Sequence, residues 1–525
     1  MSDNRFYITT PIYYVNDVPH IGHAYTTLAC DVMARFMRLD GKDVRFLTGT
    51  DEHGQKVEQA AANAGMAPNA FTDKVSQSFR DLIPAMGYSP DNFIRTTEPR
   101  HYAACQALWN KVLAAGDIYL GKYAGWYSVR DEAFYAESET EVGPDSKRRA
   151  TASGAEVAWV EEPSYFFRLS AWQDRLLKFY EDNPRFIAPQ SRRNEVISFV
   201  KGGLQDLSVS RTTFKWGVPV PNDPQHIMYV WFDALTNYIT ECGYPDTSAP
   251  NWKYWPADLH MVGKDIVRFH TVYWPAFLMS AGVAPPRRVF AHGWWTNEGQ
   301  KISKSLGNVI DTLALVREFG LDQTRYFLMR EVPFGNDGDF RRASMVQRMD
   351  SDLANAYGNL CQRVLSIIAK NCGGAVPAKG PLADADKALL DKARGALATV
   401  RDRINDQAFH EALAAIWEVI GDANRYVDTQ APWTLAKTDP VRRDHVLWVL
   451  VETIRRVTLL TQPFMPGSTA RILDQLAVPA DSRDFAAFDR EMVGGTALPA
   501  PQGVFPRYVD PAAPAQAPRQ ARKKA

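Results

Sequence analysis

The segment His20-Ile21-Gly22-His23 places two imidazoles around a glycine where a short strand pattern gives way to a helical one. Backbone N–H groups and the helix dipole at such a start favour an anion. Both imidazoles can donate hydrogen bonds to phosphate oxygens, and Gly22 leaves room for a flat ring against the backbone. These residues predict a triphosphate site, with a purely structural histidine pair as the alternative.

A second motif, Lys301-Ile302-Ser303-Lys304-Ser305, follows a strand pattern and a glycine-containing loop. Its two lysines can bring cations to the β- and γ-phosphates as pyrophosphate departs, which is the electrostatic help that phosphoryl chemistry requires. A solvated loop is the alternative for this motif alone. Its position downstream of the histidine motif, on a divided α/β pattern, favours the phosphate function.

Together the two motifs resemble the paired signatures of class I aminoacyl-tRNA synthetases. TTPIYYVNDVPHIGHAY, GTDEHGQK, YVWFDALTNY and GKDIVRFH resemble the methionyl-tRNA synthetase family in particular, over about residues 4 to 475. The family usually has methionine where Ile302 stands, and this apolar exchange leaves both lysines in place. The resemblance implies an enzyme that activates L-methionine with ATP, releasing pyrophosphate, and transfers it to the 3′-terminal adenosine of tRNA(Met), including the initiator tRNA.

The resemblance also implies which residues form the sites. Those for ATP, with Mg²⁺ on its phosphates, are His20, Gly22, His23, Gly263, Lys264, Asp265, His292, Trp294, Lys301, Ser303 and Lys304. Four of them are the expected catalytic residues: His20, His23, Lys301 and Lys304. Those for methionine are the main chain of Ile12 and the side chains of Tyr14, Asp51, Trp231, Ala234, Leu235, Tyr238, Ile266 and His270.

The chemistry of methionine agrees with this set. Its ammonium needs an anion, and Asp51 follows the second strand pattern. Its flexible thioether needs an apolar, polarizable sleeve. For aromatic residues such as Trp231, plain core packing is the alternative. Leu235 replaces a proline of some family members, so we expect a differently shaped wall there.

A third set of residues lies in the helical C-terminal half. Asn359 and Arg363 are four residues apart, on one helix face, and Pro432-Trp433 follows a loop. They resemble the family's readers of the CAU anticodon, in which the tryptophan stacks on an unstacked base and the polar pair bonds to base edges. Surface decoration is the alternative for an Asn-Arg pair.

The overall charge does not by itself predict RNA binding. Lys and Arg total 60, and Asp and Glu also total 60, so the chain lacks the positive field of many small nucleic-acid binders. RNA contacts must come from local patches, for which Arg341, Arg342 and Arg348, with Arg325 and Arg330 upstream, are candidates. A solvated helix face explains these arginines almost as well.

The five cysteines are scattered without a C-x-x-C pair: Cys30, Cys105, Cys242, Cys361 and Cys372. This spacing argues against a disulfide framework and against a thiolate zinc site. The N-terminal MSDNRFYITT lacks a charged segment followed by an apolar run, and no stretch approaches the roughly 18 to 20 apolar residues of a membrane span. We expect a cytoplasmic protein without membrane contact and without a bound metal.

The strand and helix patterns around these residues predict an α/β fold. We expect a split Rossmann-like nucleotide-binding domain that carries a connective insertion. An all-α anticodon-binding helical bundle should follow it. Strand patterns at Phe6–Thr9 and Val44–Thr48 flank a helical pattern from about Gly22 to Leu39. HIMYVWFD, DLHMVGKD and RRVFAHGW predict further parallel strands. The predicted parts are catalytic residues 1–115, insertion 116–222, catalytic residues 223–295, loop and stem-contact region 296–345, bundle 346–510 and a disordered basic tail 511–525.

The insertion lacks the C-x-x-C pairs of many bacterial relatives, so it resembles the zinc-free subgroup. At about a hundred residues it is too short for the large editing domain of the isoleucyl, valyl and leucyl enzymes. The chain also ends after the bundle, without the appended barrel through which some relatives dimerise, and we expect a monomer.

Two other functions fit part of the sequence. Another HIGH-type synthetase, for cysteine or leucine, would keep both ATP motifs but should lack YVWFDALTNY together with APW. A catalytically silent tRNA-binding relative is opposed by intact His20, His23, Asp51, Lys301 and Lys304.

Overall fold

A computed structural model describes residues 4–15, 18–302 and 308–510. The chain divides into two compact units, Met1–Ala314 with Val332–Asp339, and Leu315–Glu331 with Phe340–Ala525. The chain therefore enters the second unit, returns briefly to the first, and then completes the second. Among the described residues, no helix is both long and apolar enough to cross a bilayer.

The first unit is built on a parallel sheet of seven strands. In order across the sheet these are Ile187–Ala188, Val289–His292, Leu259–Gly263, Arg5–Thr9, Asp43–Asp51 and Tyr13–Tyr14, with Asn92–Arg95 also paired to Asp43–Asp51. Arg5–Thr9 lies between Leu259–Gly263, which comes from much later in the chain, and Asp43–Asp51. Its carboxyl end is therefore the kind of switch point where doubly wound sheets bind ligands.

The strand Asp43–Asp51 continues beyond Thr48, where its sequence pattern predicts that it ends. Asp43–Asp51 stays buried through Gly49, Thr50 and Asp51. A Cβ on Gly49 would lie 2.1 Å from the carbonyl oxygen of Ile94, so the neighbouring strand Asn92–Arg95 can pack this closely only against glycine. The extension places Asp51 at the carboxyl edge of the sheet.

Helices cover this sheet. They are Ile21–Leu39, Gln55–Asn63, Pro68–Met86, Pro99–Ala114, Gln173–Asp182, Gln190–Lys201, Val230–Thr240 and Trp274–Ser280. The predicted helix from about Gly22 to Leu39 is confirmed as Ile21–Leu39, which begins at a histidine cap. It buries an almost continuous run of side chains because it packs against the central strands.

Smaller sheets lie beside the parallel one. The largest of them has four strands, in the order Leu207–Ser208, Ala158–Phe167, Ile118–Ser128 and Ala133–Tyr135. Two sheets have three strands each: Ser210–Arg211, Asp223–Met228 and Pro219–Val220 form one, and Gln300–Lys301, Trp295–Asn297 and Gly338–Phe340 form the other. Thr140–Val142 and Arg148–Ala150 form a two-stranded sheet. The long antiparallel pair Ile118–Ser128 and Ala158–Phe167 contains the predicted aromatic strands YAGWYSV and EPSYFFRL.

The prediction that HIMYVWFD joins the parallel sheet is wrong. Asp223–Met228 pairs antiparallel with Pro219–Val220 and Ser210–Arg211. Asn222, at φ 65°, reverses the chain between Val220 and Asp223, and asparagine tolerates this left-handed conformation. The other two predicted strands do join the parallel sheet. Its outer strand is Ile187–Ala188, from within the predicted insertion.

The second unit is helical, which confirms the predicted bundle. Its helices are Leu321–Arg330, Arg342–Gln347, a π-helical stretch Arg348–Gly358, Asn359–Asn371, Asp384–Asn405, Phe409–Gln430, Pro432–Thr438, Pro440–Thr461 and Pro466–Gln475, and Thr312–Phe319 begins in the first unit. Buried Asp386 accepts two hydrogen bonds from Arg442, at 2.6 and 2.7 Å, and one from the Tyr426 hydroxyl at 2.6 Å. This cluster joins three of the long helices.

Candidate functional site

The histidine motif forms the cap of the first long helix. Nδ1 of His20 accepts from the N–H of Gly22 at 3.1 Å, and Nδ1 of His23 accepts from the N–H of His20 at 3.1 Å. The two rings stack with centroids 3.8 Å apart. A Cβ on Gly22 would lie 2.9 Å from the His20 ring, so glycine permits this arrangement.

These capping bonds determine the tautomers of both rings. Burial lowers the pKa of His20 and of His23, and the neighbouring His20 lowers the pKa of His23 further. Both rings are therefore neutral at pH 7, and since each Nδ1 accepts, each proton resides on Nε2. The helix start thus offers two Nε2–H donors, as the sequence predicts for a phosphate site.

The predicted nucleoside residues form one cluster at the carboxyl ends of two adjacent strands. Leu259–Gly263 leads into Lys264 and Asp265, and Val289–His292 leads to Trp294. The ammonium of Lys264 lies 4.3 Å from the Trp294 ring centroid, and the Trp294 indole donates to Asp265 at 3.1 Å. His292 bonds to Thr26 of the first helix at 2.7 Å, next to the histidine cap.

Asp337 also belongs to this cluster, although no sequence motif predicts it. Both its carboxylate oxygens accept from Lys264 at 2.7 Å, and one accepts from the N–H of Trp294 at 2.9 Å. Asp337 lies in Val332–Asp339, the segment that returns to the first unit. Its sequence context is a polar loop, which gives no indication of the strand ends that it contacts.

Lys301 lies exposed at the end of the hairpin Trp295–Asn297 and Gln300–Lys301. Its carbonyl accepts from the Asn308 side chain at 3.0 Å, which ties the two described ends of the loop together. The predicted residues Ser303 and Lys304 lie outside the described residues.

Asp51 ends its strand beside Tyr14, with which it pairs in the sheet. The carboxyl is buried, and its Oδ1 has no hydrogen-bond partner. Burial, with the nearby Asp233 and Glu132 carboxylates, raises its pKa well above the usual range. A buried carboxyl oxygen without a donor is costly to maintain unless a ligand supplies one.

The predicted methionine-binding side chains largely converge on one apolar core. Leu235 and Tyr238 belong to that core, and the half-buried residues packed against it include Ile12, Tyr14, Trp231 and Ile266. Ala234 is buried on the same helix as Leu235. Trp231 stacks on Phe269, with centroids 3.8 Å apart and planes 6° from parallel.

His270 completes this group through two hydrogen bonds. Its Nδ1 lies 3.0 Å from the Ile266 carbonyl oxygen, which can only accept, so Nε2 accepts from the Tyr238 hydroxyl at 2.7 Å. Burial lowers the pKa of His270 to about 4. The imidazole is therefore neutral at pH 7 and places no positive charge in the apolar group.

Sequence reasoning missed a buried network behind Asp51. The Asp233 carboxylate accepts from His53 and from His101, each at 2.7 Å. Burial raises the pKa of Asp233, but the two histidines outweigh burial and hold it below its usual range. His53 and Asp233 stand inside the motifs GTDEHGQK and YVWFDALTNY, so polar residues within buried elements were the available signal.

Among the described residues, His101, Cys105 and Asp233 are the one group of three possible metal ligands with ligand atoms within 4.8 Å of one another. His101 Nε2 and the Asp233 carboxylate already share a hydrogen bond, and burial raises the pKa of the Cys105 thiol well above its usual range. A protonated thiol is a poor ligand, so this group has the chemistry of a hydrogen-bond network.

In the second unit, the predicted anticodon residues lie on the helices Asn359–Asn371 and Pro432–Thr438. The Arg363 guanidinium lies 5.2 Å from the Trp433 ring centroid and pairs with Asp428 at 2.6 Å. Trp433 is 44% exposed, whereas Pro432 is buried as the first residue of its short helix. Asn359 is exposed one helical turn before Arg363.

The proposed arginine patch is only partly available for RNA. Arg325 is fully buried and donates to the carbonyls of Pro463 and Phe464 at 2.9 and 3.0 Å, so its inclusion was wrong. Arg348 pairs with Glu331 and Asp352. A helical period cannot distinguish such a packed guanidinium from a solvated one.

Comparison with known proteins covers nearly the whole chain. The family model described as tRNA synthetases class I (M) matches residues 6–365, and the anticodon-binding domain of methionyl tRNA ligase matches residues 376–522. The methionine–tRNA ligase of Mesorhizobium japonicum is 61% identical over 512 residues, 97% of this chain and 99% of that protein. That of Brucella suis is 59% identical over 511 residues, with the same coverage of both chains.

Solved structures agree. Mycobacterium tuberculosis methionyl-tRNA synthetase in complex with methionyl-adenylate superposes with a TM-score of 0.94 at 56% identity, covering 96% of this chain and all of that one. The free-state structure of the Mycobacterium tuberculosis enzyme gives a TM-score of 0.89 at 52% identity, covering 97% of this chain and 99% of that one.

Proposed function

The chain belongs to the methionyl-tRNA synthetase family of class I, and from that premise we propose how its own side chains carry out the reaction. The activity is that of a methionine–tRNA ligase, which forms methionyl-adenylate and pyrophosphate from methionine and ATP and then transfers methionine to tRNA. The observation that carries the assignment of residues is the buried Asp51 carboxyl, whose Oδ1 has no partner.

In this proposal Asp51 accepts from the substrate ammonium, with the main chain of Ile12 assisting. An ammonium has three donors and a positive charge, so it satisfies Oδ1 and offsets the repulsion that raises the pKa of Asp51. The thioether lies among Tyr14, Trp231, Ala234, Leu235, Tyr238, Ile266 and His270. The neutral His270 keeps this sleeve free of a second cation.

ATP binds with its phosphates at the histidine cap. The Nε2–H groups of His20 and His23 donate to phosphate oxygens, and Gly22 admits the nucleotide close to the backbone. Gly263, Lys264, Asp265, His292 and Trp294 hold the nucleoside. The β- and γ-phosphates are neutralised by Lys301 and Lys304 and bound by Ser303 of the same motif. Mg²⁺ accompanies the ATP as part of the substrate.

The chemistry needs no enzyme nucleophile. The methionine carboxylate attacks the α-phosphorus in line, the bond to the bridging oxygen breaks, and pyrophosphate leaves. A ribose hydroxyl of the terminal adenosine then attacks the activated carbonyl and releases AMP. The protein positions the reactants and supplies positive charge where negative charge develops.

We assign tRNA recognition to Asn359, Arg363, Pro432 and Trp433. Trp433 is exposed and held by Arg363, so one face of its ring can stack on an unstacked base of the CAU anticodon. Asn359 and Arg363 offer donors to base edges. The same anticodon would be read in the initiator tRNA(Met).

Further properties follow as proposals. We propose that the insertion binds no zinc, since none of the five cysteines lies within residues 116–222. We also propose that the enzyme is a cytoplasmic monomer. We further propose domain limits after residues 115, 222, 295, 345 and 510.

The experiment is amino-acid-dependent exchange of labelled pyrophosphate into ATP, with each of the twenty amino acids tested separately. Methionine should support exchange, and Lys304→Ala should abolish most of it while the melting temperature is retained. Faster exchange with any other amino acid would overturn the substrate assignment.

A further inference from the structure

Glu132 of the connective insertion is buried and conformationally strained. It ends the turn 129–132 between the strands Ile118–Ser128 and Ala133–Tyr135. Its φ is 48°, in the left-handed region that disfavours residues other than glycine, and only 5% of it is exposed. Such a conformation persists only where surrounding contacts impose it.

Those contacts join Glu132 to Tyr14 of the proposed amino-acid site. The Tyr14 hydroxyl has two acceptors for its one hydrogen, the Glu132 carboxylate and, at 2.8 Å, the His53 carbonyl oxygen. The Tyr229 hydroxyl donates to the Glu132 carbonyl at 2.9 Å. A Cβ on Gly54 would lie 2.6 Å from the Tyr14 oxygen and 2.9 Å from the Glu132 carboxylate. The absence of a side chain at Gly54 therefore permits the contact between Tyr14 and Glu132.

The charges around Tyr14 are unbalanced toward the negative. The Glu132 and Asp51 carboxylates both act on the Tyr14 hydroxyl and raise its pKa, after burial, which is the main cause. Asp233 behind them accepts hydrogen bonds from His53 and His101. A site with two buried acids close to one hydroxyl attracts a cation.

The groups that face Glu132 come from several elements. Burial raises its pKa to about 7, against the lowering effects of the Tyr14 hydrogen bond, of the ammonium and backbone of Lys56 on the helix Gln55–Asn63, and of Arg211. The nearby acid Asp51 also faces it, and the Glu132 carboxylate raises the pKa of Asp51. The tyrosines Tyr127 and Tyr229 also face it.

We propose that Glu132 is a positioning residue of the amino-acid site, by which the insertion holds the Tyr14 hydroxyl and strengthens binding of the substrate ammonium beside Asp51. The inference rests on the proposed function, because it requires Tyr14 and Asp51 to form the ammonium site. It gives the insertion a part in amino-acid binding.

The pH dependence follows from the sign of the pKa shift. Above pH 7 Glu132 is ionised, accepts from Tyr14 and attracts the ammonium; below pH 7 it is protonated and this attraction is lost. The KM for methionine should therefore rise as the pH falls from 8 to 6. The ammonium group of bound methionine stabilises the ionised form of Glu132.

The test compares Glu132→Gln with Glu162→Gln in pyrophosphate exchange at pH 6 and pH 8. Glu162 is an equally buried glutamate of the same insertion that bonds instead to Thr212. Glu132→Gln should raise the KM for methionine about tenfold at pH 8, little at pH 6, and leave the KM for ATP unchanged. Glu162→Gln should retain the wild-type pH dependence.

Four outcomes would count against the proposals. An unchanged methionine KM in Glu132→Gln at pH 8 overturns the inference, as does an equal change in both KM values at both pH values, which indicates a structural role. If the glutamine variant does not fold, Glu132→Asp should raise the methionine KM yet keep its fall between pH 6 and pH 8, and a wild-type KM would overturn the inference. Absence of methionine-dependent exchange in the wild type would instead refute the proposed function.

Discussion

The amino-acid site and the anticodon-binding face use charge in opposite environments. In the first, Asp51 and Asp233 are buried, and one carboxyl oxygen of Asp51 has no partner. In the second, Trp433 is 44% exposed and Arg363 pairs with Asp428, which is 65% exposed. Buried charges interact strongly, whereas exposed pairs are screened by water and salt.

Specificity therefore has a different physical origin in each unit. The buried site is formed before the substrate arrives, so the loss of one charge should lower kcat/KM for methionine by orders of magnitude. On the exposed face, stacking of a base replaces a weak ion pair. Each residue of this face should therefore contribute only modestly to the affinity for tRNA. Four substitutions test this contrast.

The largest effect is expected for Asp51→Asn. The substitution removes the charge that balances the ammonium, and loss of one partner of a buried charged pair costs about 2 to 5 kcal/mol. In pyrophosphate exchange, kcat/KM for methionine should fall about a thousandfold, while the KM for ATP stays within about twofold. A matching loss for ATP would show that the site as a whole is disturbed.

The next effect concerns stability and is expected for Asp233→Asn. An amide cannot accept fully from both His53 and His101, so the first unit should lose about 3 kcal/mol of unfolding free energy. Urea unfolding followed by tryptophan fluorescence measures this loss. Asp428→Asn on the exposed face is the matched control, with an expected change below about 0.5 kcal/mol. Equal losses would remove the contrast between the two regions.

Trp433→Ala should act on tRNA alone. Loss of one base–aromatic stack costs about 1 to 3 kcal/mol, so the KM for tRNA should rise about five- to 150-fold. Exchange in the absence of tRNA should not change. Trp159→Ala, at a 51% exposed tryptophan of the insertion, should leave aminoacylation unchanged and controls for general loss of an exposed indole. Slower exchange in Trp433→Ala would contradict the division of labour between the units.

The smallest effect is expected for Tyr238→Phe. The change removes one hydrogen bond to His270, worth about 1 kcal/mol, so the KM for methionine should rise about fivefold. Tyr180→Phe is the control, because that buried hydroxyl donates to the carbonyl of Thr271 at 2.7 Å. An unchanged methionine KM in Tyr238→Phe would exclude the Tyr238 hydroxyl from the sleeve.

The sequence predicted the parts of the fold that local patterns determine. A strand pattern followed by a capped helical period locates Arg5–Thr9 and Ile21–Leu39, and long helical periods locate the bundle. HIMYVWFD was assigned to the wrong sheet because strand partners depend on the turn at Asn222, not on the apolar pattern. Ile187–Ala188 is only two residues long, too short for any pattern to show.

In the candidate site, too, local sequence patterns predict some residues and miss others. Motif resemblance selected His20, Asp51 and Trp231, which the structure places at the sheet edge and beside its core. Glu132 was missed because its role depends on burial beside Tyr14, 118 positions away in the chain. Asp337 was missed for the same reason, since Lys264 lies 73 positions from it. Contacts at such separations leave no periodic signal in one sequence.

The central claim is that the Asp51 carboxyl binds the ammonium of methionine. Calorimetric titration of wild type and Asp51→Asn with L-methioninol, which keeps the ammonium, and with 4-(methylsulfanyl)butanoate, which lacks it, tests this claim directly. The substitution should weaken methioninol binding strongly and leave butanoate binding unchanged or improved, because a repulsive charge is removed. Equal weakening of both ligands would contradict the claim.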